Sequence, residues 1–253
     1  MTRKIDLHIH TSCSDGTINI MNDRNTWFIG YDLIAITDHE HLFNPQEFRI
    51  PNCKTKFISG VEICCKYRGV YIEILGYDFA PENEKLSEIV SYVKKQRILA
   101  IDTIIQNNNM TDYYFLGNPF RVNVQLPYHI DKKNFWKQNE MEYKKIYHSV
   151  GAEEVINAIL SAGGIPVLAH PMESLRGYDE ESVKRFIGLL GIKHIEFLTP
   201  KHTIEEVEML ERIITFYDLS ASIGSDTHKS VLSSIPFEYN LKERRFKWIQ
   251  KLL

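Results

Sequence analysis

Lys4-Ile5-Asp6-Leu7-His8-Ile9-His10-Thr11-Ser12-Cys13-Ser14-Asp15-Gly16 decides how the rest of the 253-residue chain is read. Ile5, Leu7 and Ile9 alternate with Asp6, His8 and His10, the period-two pattern of a strand. The alternation puts the two imidazoles on one face, one strand repeat apart, where both can reach one metal ion. The small polar run that follows is a loop. In it Asp15 is either an oxygen ligand above the strand end or, with Gly16, the start of an Asx-turn. A His-x-His pair also occurs in strands that bind nothing, so the remaining strand ends have to decide between the two.

Composition sets the frame. Hydrophobic residues make up 43% and charged residues 25%, ordinary globular values. A formal net charge of -3 argues against a bulk electrostatic grip on duplex nucleic acid. There is no apolar leader and no run of about 18 apolar residues, so no membrane segment is expected. Cys13, Cys53, Cys64 and Cys65 lack zinc-finger spacing, and reduced thiols in a cytoplasmic protein are the expectation.

Further along, apolar runs alternate with helical patterns. Residues 18–29 read as a helix stopped by Gly30. Leu33-Ile34-Ala35-Ile36-Thr37 has the continuous apolar character of a strand covered on both faces and ends in Asp38-His39. Residues 56–63 form a third strand ending in Gly60-Val61-Glu62. The short link over 64–69 is too brief for a parallel crossover, so 70–77 should fold back antiparallel and bring Glu73 beside Glu62. Leu86, Ile89, Val90, Val93, Ile101, Ile104 and Ile105 recur at helical steps up to Asn107. The sequence thus divides into barrel residues 1–83, an inserted and mostly helical cap over 84–150, and barrel residues 151–253. In the last part, helices over 151–161, 179–190 and 204–217 separate strands at 165–169, 194–198 and 221–224. A basic amphipathic helix is expected over 242–253.

In an α/β barrel, reactive side chains gather at the carboxyl ends of the strands. That is where His8 and His10, His39, Glu62, His170, Asp226 and His228 fall. Any one of these histidines alone could be a hydrogen-bonded structural residue, but together they mark a site.

Asp6-Leu7-His8-Ile9-His10-Thr11, Ser14-Asp15-Gly16, Ile36-Thr37-Asp38-His39, Gly60-Val61-Glu62-Ile63, Leu75-Gly76-Tyr77, Ala169-His170-Pro171 and Gly224-Ser225-Asp226-Thr227-His228 resemble, in family order, the motifs of the PHP (polymerase and histidinol phosphatase) family. The resemblance covers about 1–80 and 152–230. It implies a distorted (β/α)7 barrel with two or three divalent ions and phosphoester hydrolysis. It also implies that His8 and His10 hold one ion, that Glu62 bridges it to a second, that Asp226 closes the first position, and that His170 holds the second. Asp15, His39 and His228 would hold a third. One position departs from the family: Glu73 stands where a histidine is usual, which adds negative charge and favours harder ions.

A ligand set of His, Asp and Glu without Cys suits Mn, Fe or Zn. Such ions bring the pKa of a bound water from 15.7 to about 7 and neutralise phosphate oxygens. Asp226 and His202 are the candidate catalytic residues. His202 lies where nucleotidase-like members carry a histidine near the phosphate. Arg176, His202 and Lys144 are the candidate substrate contacts. The expected substrate is a small phosphomonoester, with a nucleoside 3′,5′-bisphosphate or an oligonucleotide 5′ end suggested by the Ser-Asp-Gly loop and the cap. The cap's usual Arg-Pro-His is absent, and the oligomeric state is not encoded in any motif. Histidinol phosphatase and a non-catalytic metal-binding module are the alternatives.

Overall fold

The computed structural model describes residues 3–20, 28, 30–48, 54–110, 131–229, 238–239 and 243–253. Four strands form one sheet: β1 (Arg3–Asp6), β2 (Leu33–Ala35), β3 (Lys56–Ile58) and β9 (Glu238–Tyr239). Their order is β3-β2-β1-β9, with β1, β2 and β3 parallel and β9 antiparallel at the edge. The second sheet runs β4 (Gly60–Tyr67), β5 (Val70–Tyr77), β6 (Ile165–Leu168), β7 (His194–Leu198) and β8 (Ser220–Ile223) in sequence order. Here β5 is antiparallel to both neighbours, and β6, β7 and β8 are parallel.

Backbone hydrogen bonds join the two sheets at both margins. Leu7 N–H donates to the Ile223 carbonyl and His10 N–H to the Thr227 carbonyl on one side. On the other, Glu62 N–H donates to Asp38 and Glu40 N–H to Glu62. The motif loops after β1, β2 and β8 are therefore held against one another by main-chain bonds. The fold is mixed α/β with parallel strands in both sheets.

The expected third strand, 56–63, is two strands in different sheets. The chain changes direction at Ser59, whose hydroxyl donates to the Phe79 carbonyl at 2.6 Å. At Gly60 the backbone passes so close to the second strand that a Cβ would lie 2.2 Å from the Ile36 carbonyl oxygen. Period-two patterning does not record such a crossing, because the apolar run continues through it. β4 also runs on to Tyr67, so the link to β5 is the two-residue turn Arg68-Gly69. Both residues have positive φ (47° and 87°), the conformation that matches hairpin twist. The pairing sets Glu62 opposite Leu75 and Cys64 opposite Glu73, which brings Glu73 within two residues of Glu62 along the ladder as anticipated.

Helix α1 (Glu84–Asn107) is capped by the Asn83 side chain accepting from Leu86 N–H. Its first half, through Leu86, Ile89, Val90 and Val93, packs into the main core with the sheet residues. Its second half, Ile101, Ile104 and Ile105, forms a separate cluster with Met110, just beyond its own end, and with Phe135 of helix α2 (Lys132–Ile146). Residues 111–130 of the expected cap lie outside the described residues. The remaining helices are α3 (Ala152–Ser161), the single turn α4 (Pro171–Ser174), α5 (Glu180–Leu190) and α6 (Ile204–Tyr217). The expected closing helix over 242–253 is only a 3-10 turn, Arg244–Phe246, running into the short α7 (Lys247–Gln250). It is fixed by burial of Phe246, Trp248, Ile249 and Leu252 and by the Trp248 indole donating to the Ala221 carbonyl.

The expected helix over 18–29 does not begin at Ile18, which instead bridges Thr11 and buries its side chain. Residues 21–27 lie outside the described set. Among the described residues, no helix is long and apolar enough to cross a membrane, and Cys13, Cys64 and Cys65 are free thiols.

Candidate metal centre

His8 and His10 continue the extended line of β1 and are completely buried, as are the apolar residues alternating with them. Their Nε2 atoms face each other at 3.1 Å. Glu62 Oε1 lies 3.3 Å from His8 Nε2, and Glu62 Oε2 lies 3.2 Å from His10 Nε2. Asp226 Oδ1 is 3.6 Å from the first and 3.2 Å from the second. On the far side of Glu62, His170 Nε2 approaches Oε1 at 3.1 Å, and Glu73 Oε2 is 3.5 Å from the same nitrogen. Asp15 sits 3.2 Å from His228 Nε2 and 3.9 Å from His39 Nε2. All nine residues expected as ligands from the sequence converge, in overlapping sets whose ligand atoms lie within 4.8 Å of one another.

The sets are His8, His10 and Asp226; His8, Glu62 and His170; His39, Glu62 and Glu73; His10, Asp15, His39 and His228; and His170, Glu173 and Asp226, the last bringing in Glu173, which the sequence did not single out. Glu73 is not an outward strand residue. One oxygen faces His170 and the other lies 3.6 Å from His39 Nδ1, and a quarter of the side chain remains exposed.

Whether these residues suit divalent cations is tested by the atoms without hydrogen bonds. Glu62 Oε2 and Asp226 Oδ1 are buried carboxylate oxygens that make none. Both point at imidazole nitrogens, so carboxylate and ring atoms crowd a space from which water is largely excluded and which only bound protons or a cation can neutralise. Leaving such groups unsatisfied is expensive, and a cation removes the expense. The donor set fits.

The surrounding residues fix ring orientation. His8 Nδ1 is 3.0 Å from Glu196 Oε1, so an N–H donated there leaves Nε2 to face the centre. The other Glu196 oxygen accepts the His170 backbone N–H at 2.8 Å. Glu196 thus ties two ligands together from β7, and it was not singled out in the sequence. The available signal was a lone carboxylate inside the apolar strand Ile195-Glu196-Phe197. Asp38 accepts from Thr11 N–H, Thr11 Oγ1 and Ser14 Oγ, shaping the loop that presents Asp15. Asp6 accepts from His8 and Ser225 N–H, locking β1 to the segment that carries Asp226.

Backbone strain collects here. His170 (φ 21°) and Asp226 (φ 49°) adopt positive φ, as does Glu40 (φ 43°) beside His39. Non-glycine residues rarely do so, and the surrounding bonds must hold them there.

The centre's charges set its protonation. Burial opposes a charge on His10, yet Asp226 and Glu62 push it up to about 10. His170 rises to about 9 against the same opposition, mainly through Glu62. Burial, which favours neutral imidazole, prevails at His39 and lowers it to about 3. Burial and then Glu62 raise Glu73 to about 8. Asp226 stays well below the usual carboxylate range, because His8 and His10 outweigh its burial.

The expected substrate contacts are each engaged by neighbouring groups of the protein. Both ring nitrogens of His202 are engaged by main chain, Nδ1 with the Phe197 carbonyl at 3.0 Å and Nε2 with Met172 N–H at 3.5 Å. Arg176 donates to Glu206 and to the Lys201 carbonyl, bracing the loop between β7 and α6. Lys144 pairs with Glu140 one turn away on the solvent face of α2. The neighbour of His202 is the residue that reaches the centre: Lys201 Nζ is 3.0 Å from Asp226 Oδ2.

No family model matches the chain. It is 24% identical to a 5′-3′ exoribonuclease of Haemophilus influenzae over 249 residues, 90% of this chain and 91% of that one. Among solved structures, an amidohydrolase from Chromobacterium violaceum with bound sulfate and no metal superposes with a TM-score of 0.72. It is 19% identical, and the match covers 98% of this chain and 95% of that one. A candidate metal-dependent phosphoesterase of Bifidobacterium adolescentis gives 0.66 at 22% identity, over 89% and 88% of the two chains. A two-domain protein of Bacteroides vulgatus containing a predicted PHP-like metal-dependent phosphoesterase gives 0.51 at 13% identity, over all of this chain and 62% of that one. The chain has the fold of these PHP-like phosphoesterase and amidohydrolase structures, in agreement with the family that its motifs resemble.

Proposed function

We propose that the protein is a metal-dependent phosphoesterase that hydrolyses terminal phosphoesters of nucleotides or short oligonucleotides. The observation that carries this reading is the convergence of nine imidazole and carboxylate side chains, from strands and loops far apart in the chain, into overlapping groups around a largely buried centre. Likeness in fold to metal-dependent phosphoesterase structures supports the reaction class, and the exoribonuclease relative supports a nucleic-acid substrate. We also read the two sheets as halves of one distorted (β/α)7 barrel, which the hydrogen bonds at both margins support.

His8, His10, Glu62 and Asp226 would hold a first divalent ion, Glu62, Glu73 and His170 a second, and Asp15, His39 and His228 a third. Ions held there supply an activated water and positive charge for the phosphate oxygens. The chain's own part is to hold those ligands still. Glu196 fixes the His8 ring, and Asp38 fixes the loop bearing Asp15. The chain's own side chains supply no Lewis acid to activate water or to neutralise the phosphate oxygens in the transition state, so activity should depend wholly on added metal.

The test is phosphate or nucleotide release by metal-stripped protein reloaded with Mn. The substrates are nucleoside 3′,5′-bisphosphates and 5′-phosphorylated oligoribonucleotides, with histidinol phosphate as the comparison. Mn-dependent turnover of the nucleotide substrates is the expected result. Turnover of histidinol phosphate alone would replace the substrate assignment, and no turnover of any phosphoester would reject the reaction.

A further inference from the structure

The acidic lining of the centre raises the question of which protein group meets the incoming phosphate. Among the described residues, two Lys or Arg side chains, Arg97 and Lys201, approach its carboxylates. Arg97, on α1, lies 4.0 Å from Glu73, but only 15% of its side chain is exposed and it is bound to the fully buried Glu40 at 3.0 Å. It is part of the wall. Lys201 differs on each count. It stands on the β7–α6 loop, 38% of its side chain is exposed, and its ammonium lies between Asp226 Oδ2 at 3.0 Å and Glu173 Oε2 at 3.2 Å.

That position has a chemical consequence. Asp226 divides its two oxygens: Oδ1 faces His8 and His10, while Oδ2 faces Lys201. The ammonium therefore sits one carboxylate away from the ligand cluster, on the solvent side. Glu173 is itself near the centre, with Oε2 3.7 Å from His170 Nδ1. The loop carrying Lys201 is held in place: its carbonyl accepts from Arg176, and the Thr203–Glu206 capping box closes the loop at the start of α6. A flexible stem on a fixed base lets the ammonium leave its two carboxylates without any movement of the backbone.

We propose that Lys201 is the residue that contacts the substrate's phosphate, held ready between Asp226 and Glu173 until that anion displaces them. This deepens the phosphoesterase reading and rests on it. Glu173 competes with the phosphate for the ammonium, so removing each residue should have opposite effects.

The experiment measures binding of inorganic phosphate to Mn-loaded protein by calorimetry, for wild type, Lys201→Met and Glu173→Gln, with metal content determined on the same samples. Lys201→Met should keep its metal and weaken phosphate binding about tenfold or more, the effect of losing one charge-assisted hydrogen bond. Glu173→Gln should keep its metal and bind phosphate a few-fold more tightly; loss of metal from it would overturn the proposal, because Glu173, which groups with His170 and Asp226, would then be an ion ligand rather than a competitor for the ammonium. With a cleaved substrate, Lys201→Met should raise KM far more than it lowers kcat. Phosphate binding by Lys201→Met equal to wild type would overturn the proposal. So would loss of metal from that variant, because Lys201 would then be holding the centre together. If the wild type binds phosphate through Lys201 but turns over no ester, the reaction assignment falls and the phosphate contact stands. If esters are cleaved while Lys201→Met binds phosphate normally, only the Lys201 assignment falls.

Discussion

Glu196 shows how much of the centre depends on residues that touch no ion. It is completely buried, and both oxygens are committed, one to the His8 ring and one to the His170 main chain. Glu196→Gln keeps the shape but offers an amide where His8 needs an anion. It should lower affinity for the ion at His8 by about 10–100-fold, as outer partners of metal ligands generally do, read by competition with a fluorescent chelator. The ligand histidines themselves make a pH prediction. His10 and His170 lie above the usual imidazole value of 6.5, at about 10 and about 9. The folded metal-free protein therefore binds more protons than the unfolded chain between about pH 6.5 and 10. The stability that these two imidazoles contribute should be fully present below 6.5 and should fall as pH rises through that window, while His39, lowered to about 3, works the other way only below about 6.5. Glu73, raised to about 8, acts in the same direction. Thermal unfolding of metal-stripped protein at pH 6 and pH 9 checks this, and a higher melting temperature at pH 9 would contradict it. Metal binding should release protons across the same window.

At the level of elements, the site exists because loops from different strands are packed too closely to vary. Gly224 precedes the Ser225-Asp226 segment, and a Cβ there would lie 2.2 Å from His8 Cβ and 2.7 Å from Glu196 Oε1. Gly224→Ala must displace a ligand or its support. The expected outcome is reduced metal content in protein that still folds, measured by elemental analysis alongside circular dichroism. Helix α1 contributes through the Arg97–Glu40 pair, which pins it to the His39 loop and to β4, where Cys64 N–H donates to Glu40. Arg97→Leu leaves a carboxylate buried and unpaired, and about 3–5 kcal/mol of stability should be lost. Adding Glu40→Gln should recover part of it in urea unfolding.

Over the whole molecule, the convergence of the candidate ligands was legible because polar residues at the ends of apolar strands have few other reasons to be there. His8, His10, His39, Glu62, His170 and Asp226 all carry that signature. Glu73 was placed by the hairpin and by its position two residues before Leu75-Gly76-Tyr77. Rotation was not legible. Neighbours in sequence, Lys201 and His202 part company in space, His202 turning to the Phe197 carbonyl and Lys201 to Asp226. The switch of sheets at Ser59 was hidden by an unbroken apolar run. The chain's mixed signal over 110–150 resolved partly into α2, whose packing partner lies in the second half of α1.

The central claim is that one buried point gathers ions from these side chains. The most direct measurement is anomalous diffraction at the Mn edge from crystals grown with Mn. The account predicts peaks within coordination distance of His8, His10, Glu62 and Asp226 and of Glu62, Glu73 and His170. Clear density for these side chains with no anomalous peak among them would contradict it.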